Sequence, residues 1–289
     1  MRILVTGAKG QVGAQLVTVL STQGHEVIGY DVDDLDITQF ALVERVIGEL
    51  KPHLVINPAA WTDVDGCAHH PEKALQVNGY GAQNLAVASY RHNAAIMQIS
   101  SNEVFDGQAK RPYYEYDTPR AINPYGYSKL VGEQAVMRTN PRHYIVRMSW
   151  LFAHGGHNFI HAILNAVRDG HQQLRVVVDE IANPTYNDDL VQAITRLIES
   201  GRYGIYHLCN AGSTSRYDFA RYFLDQAGFS DVTMERISHH QWARPSTPPV
   251  YTSLANVSAK MLGIELRDWR EAVDEFLERE NLLSQTVSG

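Results

Sequence analysis

The 289-residue sequence has little of what several common classes of protein depend on. Its two cysteines, Cys67 and Cys209, lie far apart and lack any Cys-x-x-Cys spacing. That excludes a disulfide framework and points to two buried, reduced thiols. No Lys/Arg-rich run occurs and the formal net charge is −7, which argues against nucleic acid as the main partner. No apolar stretch approaches the roughly 20 residues needed to span a bilayer. The first residues, Met1-Arg2-Ile3-Leu4-Val5-Thr6-Gly7, pass straight into a short apolar run and do not have the form of a signal peptide. The expected setting is the cytoplasm, with no membrane partner. The 13 histidines are scattered, and the adjacent pairs His69-His70 and His239-His240 point in different directions and are poor chelators. With no His-Glu-x-x-His and no Asp-rich calcium loop, no metal site is expected. A Gly-x-Ser-x-Gly nucleophile elbow is missing too, which argues against a serine hydrolase.

What is present is an ordinary globular composition, 44% hydrophobic and 20% charged, long enough for one large domain or two modest ones. Residues 2–6 form a short, buried, β-branched run that enters Gly7-Ala8-Lys9-Gly10-Gln11-Val12-Gly13. Val12, Leu16, Val19 and Leu20 then repeat at helical spacing. Strand, glycine loop and helix in that order begin a dinucleotide-binding unit, even though the spacing is Gly-x-x-Gly-x-x-Gly. Gly7, Gly10 and Gly13 allow a tight turn and close approach to a pyrophosphate lying on the helix N-terminus. A second strand, 26–30, ends at Asp31, where an acid would hold the adenosine ribose hydroxyls. The stretch Asp31-Val32-Asp33-Asp34-Leu35-Asp36 carries four carboxylates and no Lys or Arg, so it should repel a 2′-phosphate and favour NADH over NADPH.

The alternation continues with a helix over 39–50, a strand over 53–57, a helix from about Pro71, a strand over 94–100 and another over 143–150. This rhythm predicts an α/β, Rossmann-type, doubly wound parallel sheet with ligands at the carboxyl ends of its strands. Asn57-Pro58-Ala59-Ala60-Trp61 and Ser100-Ser101-Asn102-Glu103 fall at those ends. After Trp150 the rhythm loosens. Gly155-Gly156-His157-Asn158-Phe159 opens a helix, 174–178 is a short strand, and helices follow over 188–200, 217–227 and 269–279. Residues 204–210 read as one more strand of the main sheet. The expected division is a cofactor-binding part over 1–150, with 187–210 returning to it, and a smaller C-terminal substrate lobe over 151–186 and 211–289.

Asn123-Pro124-Tyr125-Gly126-Tyr127-Ser128-Lys129 starts a helix, with Asn123 as N-cap and Pro124 as first residue. Tyr125 and Lys129 then sit one turn apart on the same face. A phenol with an ammonium beside it can release its proton to a developing alkoxide, which is the general acid a carbonyl reduction needs. Lys129 can also bond the nicotinamide ribose and lower the Tyr125 pKa through its charge. Ser101, at a strand end, supplies a second O–H donor for the same carbonyl oxygen.

Taken together, 7–13, 36–37, 57–65, 100–107, 125–133, 147–152, 158–159, 183–186 and 268–270 resemble the extended short-chain dehydrogenase/reductases, and within them the dTDP-4-dehydrorhamnose reductase group. The resemblance implies reduction of the C4 carbonyl of a dTDP-4-keto-6-deoxy sugar, dTDP-4-dehydrorhamnose to dTDP-L-rhamnose. Tyr125 would be the proton donor, assisted by Lys129, with Ser101 where the family has Ser or Thr. It implies dinucleotide contacts from Gly10, Gln11, Val12, Asp31, Asp36, Ile37, Ala59 and Ala60. Ser101, Asn102 and Trp150 would line the sugar site, and Arg244 would meet the diphosphate. It leaves room for a homodimer. Where the family usually reads Ser-Thr-Asp-Tyr-Val-Phe, this chain has Ser100-Ser101-Asn102-Glu103-Val104-Phe105, so the changes at 102 and 103 fall beside the sugar. Two other readings share these residues: a nucleotide-sugar epimerase or dehydratase that keeps its cofactor bound, and a non-catalytic regulatory subunit.

Overall fold

The computed structural model describes residues 1–156 and 158–283. Six parallel strands make the main sheet: β1 (Arg2–Val5), β2 (Glu26–Gly29), β3 (Leu54–Asn57), β4 (Ala95–Ser101), β5 (His143–Met148) and β6 (Gly204–His207). Their order is β6-β5-β4-β3-β1-β2. The chain steps outward from β1 to β2 and then crosses back to β3 on the other side. Such a reversal opens a crevice at the carboxyl ends of β1 and β3.

Both faces of the sheet are covered, and the strands show it residue by residue. Ile3 and Val5 pack into one cluster with Leu16, Leu20, Val191 and Ile194. Leu4 between them points into the other, with Val43, Ile47, Leu85 and Val136. This is the period-two alternation of a strand, but with apolar groups in both directions, which is why these strands read as continuous hydrophobic runs. Helix α1 (Gln11–Thr22) serves the first face; α2 (Phe40–Leu50), α3 (Ala82–Arg91) and α4 (Pro124–Thr139) serve the second. Helix α6 (Asn187–Ser200) joins α1 through Leu190, Val191, Ile194 and Leu197, and β6 pairs with β5. A third core gathers Phe152, Tyr186, Phe219, Phe223, Trp269 and Phe276 around α5 (Phe159–Arg168), α7 (Arg216–Gln226) and α8 (Trp269–Arg279).

Three details depart from the sequence reading. Strand β4 runs one residue further than expected, so Ser101 is its last residue rather than the one after it. The segment after Pro71 is not one regular helix: Leu75–Gly81 is a wide π turn between Pro71–Ala74 and α3. Its bulge presses the Asn78 carbonyl against Gly132 of α4, where a Cβ would lie 2.4 Å from that oxygen. The strand Gln173–Val177 gains an unanticipated parallel partner, Thr233–Ile237, whose charged, half-exposed pattern hides its strand character. His157, within the stretch expected to open α5, lies outside the described residues.

Candidate active site

The glycine loop is built by contact as much as by turn geometry. Gly7 has φ +55°, and a Cβ there would come within 2.8 Å of Ala59 Cα, so the loop after β1 lies directly on the backbone after β3. A Cβ on Gly13 would sit 2.1 Å from the Gly7 carbonyl oxygen. Gly10 is the N-cap of α1 and offers no side-chain cap, which leaves the N–H groups of the first turn, from Gln11 onward, free for an anion. Gln11 extends against Gly156, and its carbonyl accepts from Asn187 Nδ2 at 3.0 Å, tying the loop to α6. Val12 is buried in the sheet core. These residues fit a dinucleotide pyrophosphate.

Asp31 stands beside the loop and organises it. Its carboxylate accepts from the backbone N–H of Lys9 and of Val32, both at 2.8 Å. The same arrangement brings Lys9 Nζ to 2.7 Å from Asp33 Oδ2, so the acidic turn carries a cation that is distant in sequence. Asp36 is occupied by its own turn: Thr38 donates to it from both N–H and hydroxyl, and Gln39 from its amide. Ile37 is buried against Gly81, and Ala59 and Ala60 are half-buried beside the loop. From the carboxyl ends of β1 and β3 a buried chain runs to the middle of β4, in which Thr6 donates to Asn57 and Asn57 to Gln98.

Helix α4 starts as its sequence requires. Asn123 Oδ1 accepts from the Gly126 N–H at 2.8 Å, and Pro124 fills the first position. The helix sits close: a Cβ on Gly126 would be 2.0 Å from the Glu103 carbonyl oxygen. The Ser101 hydroxyl lies near enough to the Tyr125 phenol to bear on its titration, and it donates to Asn102 Oδ1 at 3.2 Å. Ser101 Oγ also accepts from the Glu103 N–H at 3.2 Å, so the residue caps a short turn, Asn102–Val104, as well as facing the phenol. Asn78 Oδ1 accepts from the Trp61 N–H, and its amide donates to Ser128 Oγ, which donates to the Tyr125 carbonyl.

The electrostatics correct one expectation. Lys129 does not lower Tyr125 here. Its Nζ donates to the Ile99 carbonyl at 2.7 Å, and burial pushes its own pKa down to about 8 against the pull of Glu133. Tyr125 is held well above the ordinary tyrosine range by burial and by the Glu103 carboxylate, which outweigh the opposing influence of the Ser101 hydroxyl. The phenol is therefore firmly protonated, the state an acid must start from.

Beyond Ser101 opens a cavity lined by Asn102, Glu103, Trp150, Glu180, Arg216 and Arg244. Asn102 donates to Thr252 Oγ1 at 2.6 Å. Trp150 takes φ +39° just past β5, and the Arg216 guanidinium lies 3.7 Å from its ring centroid. Arg244 pairs with Glu180, and among the described residues its Nε has no partner. Arg216, Glu180 and the carboxyl of Glu103 escaped the sequence reading as site residues. One signal existed for Arg216: a cation at the first position of a helix opposes the helix dipole and needs a local reason. A wider groove lined by Pro71, Leu75, Ile122 and Tyr127 lies beyond Asn123 and holds none of these groups.

Residues 1–282 match the family model described as the RmlD substrate binding domain. The chain belongs to the dTDP-4-dehydrorhamnose reductase family. It is 36% identical over 277 residues to the spore coat polysaccharide biosynthesis protein SpsK of Bacillus subtilis, covering 96% of this chain and 97% of that one. It is 36% identical to the dTDP-4-dehydrorhamnose reductase of Mycolicibacterium smegmatis, covering 95% of this chain and 84% of that one. Among solved structures, the Clostridium acetobutylicum dTDP-4-dehydrorhamnose reductase superposes with TM-score 0.94 at 38% identity, covering 97% of this chain and all of that one (100%). The Bacillus anthracis enzyme, solved in complex with NADP, gives 0.92 at 34% identity, over 96% and 99% of the two chains.

Proposed function

We propose that this chain reduces the C4 carbonyl of a dTDP-4-keto-6-deoxy sugar, taking dTDP-4-dehydrorhamnose to dTDP-L-rhamnose in the cytoplasm. The observation that carries the reading is the Ser101–Tyr125 hydroxyl pair, set beside a glycine loop that fits a dinucleotide and opening onto a charged cavity. Family membership supports the same substrate class, since relatives carry that activity in their names.

A bound nicotinamide supplies hydride to C4. Tyr125 and Ser101 both direct O–H groups at the carbonyl oxygen, which stabilises the negative charge that develops there. Tyr125 then gives up its proton to that oxygen. Lys129, one turn along, would hold the nicotinamide ribose. Arg216 and Arg244 face the diphosphate, and Trp150 and Asn102 flank the sugar. The acidic turn at Asp31 favours NADH, and Lys9 offers the 2′-phosphate of NADPH enough compensation for both cofactors to serve.

The test is oxidation of NADH and of NADPH, each with dTDP-4-dehydrorhamnose, with product stereochemistry at C4 read by NMR. Formation of dTDP-L-rhamnose is expected. If neither cofactor is oxidised, the reading is wrong.

A further inference from the structure

Glu103 bears on the reduction only through its charge beside Tyr125, yet its placement is specific. The Asn102–Val104 turn follows Ser101 directly and brings the Glu103 carboxyl into the lining of the cavity. One carboxyl oxygen, Oε2, accepts from Asn123 Nδ2 at 2.7 Å, which fixes the group against the N-cap of the helix that carries Tyr125. No salt bridge within 4.0 Å engages it among the described residues, although Arg216 and Arg244 line the same cavity. A carboxyl with one fixed oxygen stands next to two hydroxyls suited to a carbonyl oxygen. That is the set of groups needed to take a proton from the carbon beside the carbonyl: a base for the carbon and acids for the oxygen.

We propose that Glu103 is a general base toward the carbon α to the bound carbonyl, so that this site also enolises its keto-sugar and exchanges that α-proton with solvent. The inference rests on the carbonyl-reduction reading above. In the forward step the Cα–H bond breaks and its proton passes to the Glu103 carboxylate. The bonding pair forms a carbon–carbon double bond, and the carbonyl π pair moves to oxygen, which takes the Tyr125 proton. The proton on Glu103 exchanges with solvent; in the reverse step Glu103 returns a proton to carbon while the enol O–H returns its proton to the Tyr125 phenolate, which restores the carbonyl. Nothing is oxidised or reduced, so no cofactor turnover is required. Burial raises the basicity of the Glu103 carboxyl, while the charges of Arg244 and Arg216 favour its ionised form.

The experiment uses the full chain loaded with NADP⁺ and dTDP-4-keto-6-deoxyglucose in D₂O, with loss of the H3 and H5 signals followed by ¹H NMR against an enzyme-free control. NADPH oxidation by the same preparation is measured in parallel. The parent is expected to exchange an α-proton well above the control. In Glu103→Gln the ratio of exchange to reduction should fall about 100-fold or more, and Glu103→Asp should recover part of it. Because the readout is a ratio, each variant's own reduction reports whether it has folded. A parent that reduces but does not exchange overturns this inference and leaves the reductase reading standing, as does an unchanged ratio in Glu103→Gln. A preparation that neither reduces nor exchanges overturns both.

Discussion

The Arg147 guanidinium holds the Glu133 carboxylate through two hydrogen bonds, Nε to Oε1 at 2.9 Å and Nη2 to Oε2 at 2.7 Å, with neither side chain exposed. Glu133 lies one turn beyond Lys129 on α4, so Tyr125, Lys129 and Glu133 form one stripe along the helix. The ion pair is the floor on which that stripe rests. Beneath it, His207 is pushed down to about 3 by burial and by the Arg147 charge, and so stays neutral.

Breaking this pair on one side should be costly. Glu133→Gln leaves a guanidinium buried without a counter-charge, and a loss of about 3–5 kcal/mol is expected in chemical denaturation. Replacing both partners with apolar groups, as in Glu133→Leu with Arg147→Met, should restore most of that loss. A single variant as stable as the parent would contradict the assignment.

Lys129 should leave a signature in the pH dependence of stability. Its pKa falls from 10.5 to about 8 on folding, chiefly through burial. Between those values the unfolded chain binds more protons than the folded one, so this group makes stability rise with pH across that window. Cys67, pushed up to about 11 by burial, acts in the opposite sense, so a difference measurement is needed. The stability of Lys129→Met relative to the parent should therefore fall as pH rises from neutral to about 9. Turnover that needs the ammonium should decline over the same range. A pH-independent difference between parent and variant in urea unfolding would remove the burial argument.

Tyr125→Phe removes one hydroxyl and little else. Turnover should drop about 10²–10⁴-fold while the dissociation constant for the cofactor stays near that of the parent, because only the protonation of the developing alkoxide is lost. Single-turnover kinetics and fluorescence titration of NADPH separate the two quantities. Equal loss of cofactor binding would assign the phenol a different role.

Local rules made much of this site legible. Alternating apolar runs and helical repeats foretold the six parallel strands, and Asn123 with Pro124 fixed the start of α4 and hence the side that Tyr125 and Lys129 share. Ser101 was recognisable from its strand end. The rest depends on contacts that no short stretch of sequence contains. The charge balance around Glu103 needs Arg216 and Arg244, which arrive from more than a hundred residues away. The direction of the Tyr125 shift was misread because burial and Glu103 dominate it, while Lys129 is turned to the Ile99 carbonyl. The π turn at Leu75–Gly81 answers to the close approach of Gly132, again a tertiary demand.

The cofactor preference should be set by two side chains acting in opposite directions. Asp31 grips the backbone at Lys9 and Val32 beside the glycine loop, whereas Lys9 reaches back to Asp33 from that loop. The pair is exposed, so its own strength is modest and weakens with salt. A 2′-phosphate would nevertheless compete with Asp33 for the Lys9 ammonium, since a phosphate dianion is the stronger acceptor. Asp31→Ala should therefore narrow any preference for NADH over NADPH, at some cost to affinity for both because the loop loses its anchor. Lys9→Ala should widen the preference, with NADPH weakened and NADH little changed. The ratio of kcat/KM for the two cofactors, measured at low and at high salt, decides it. If Lys9→Ala leaves that ratio untouched at low salt, Lys9 does not meet the phosphate and the selectivity lies with Asp31 alone.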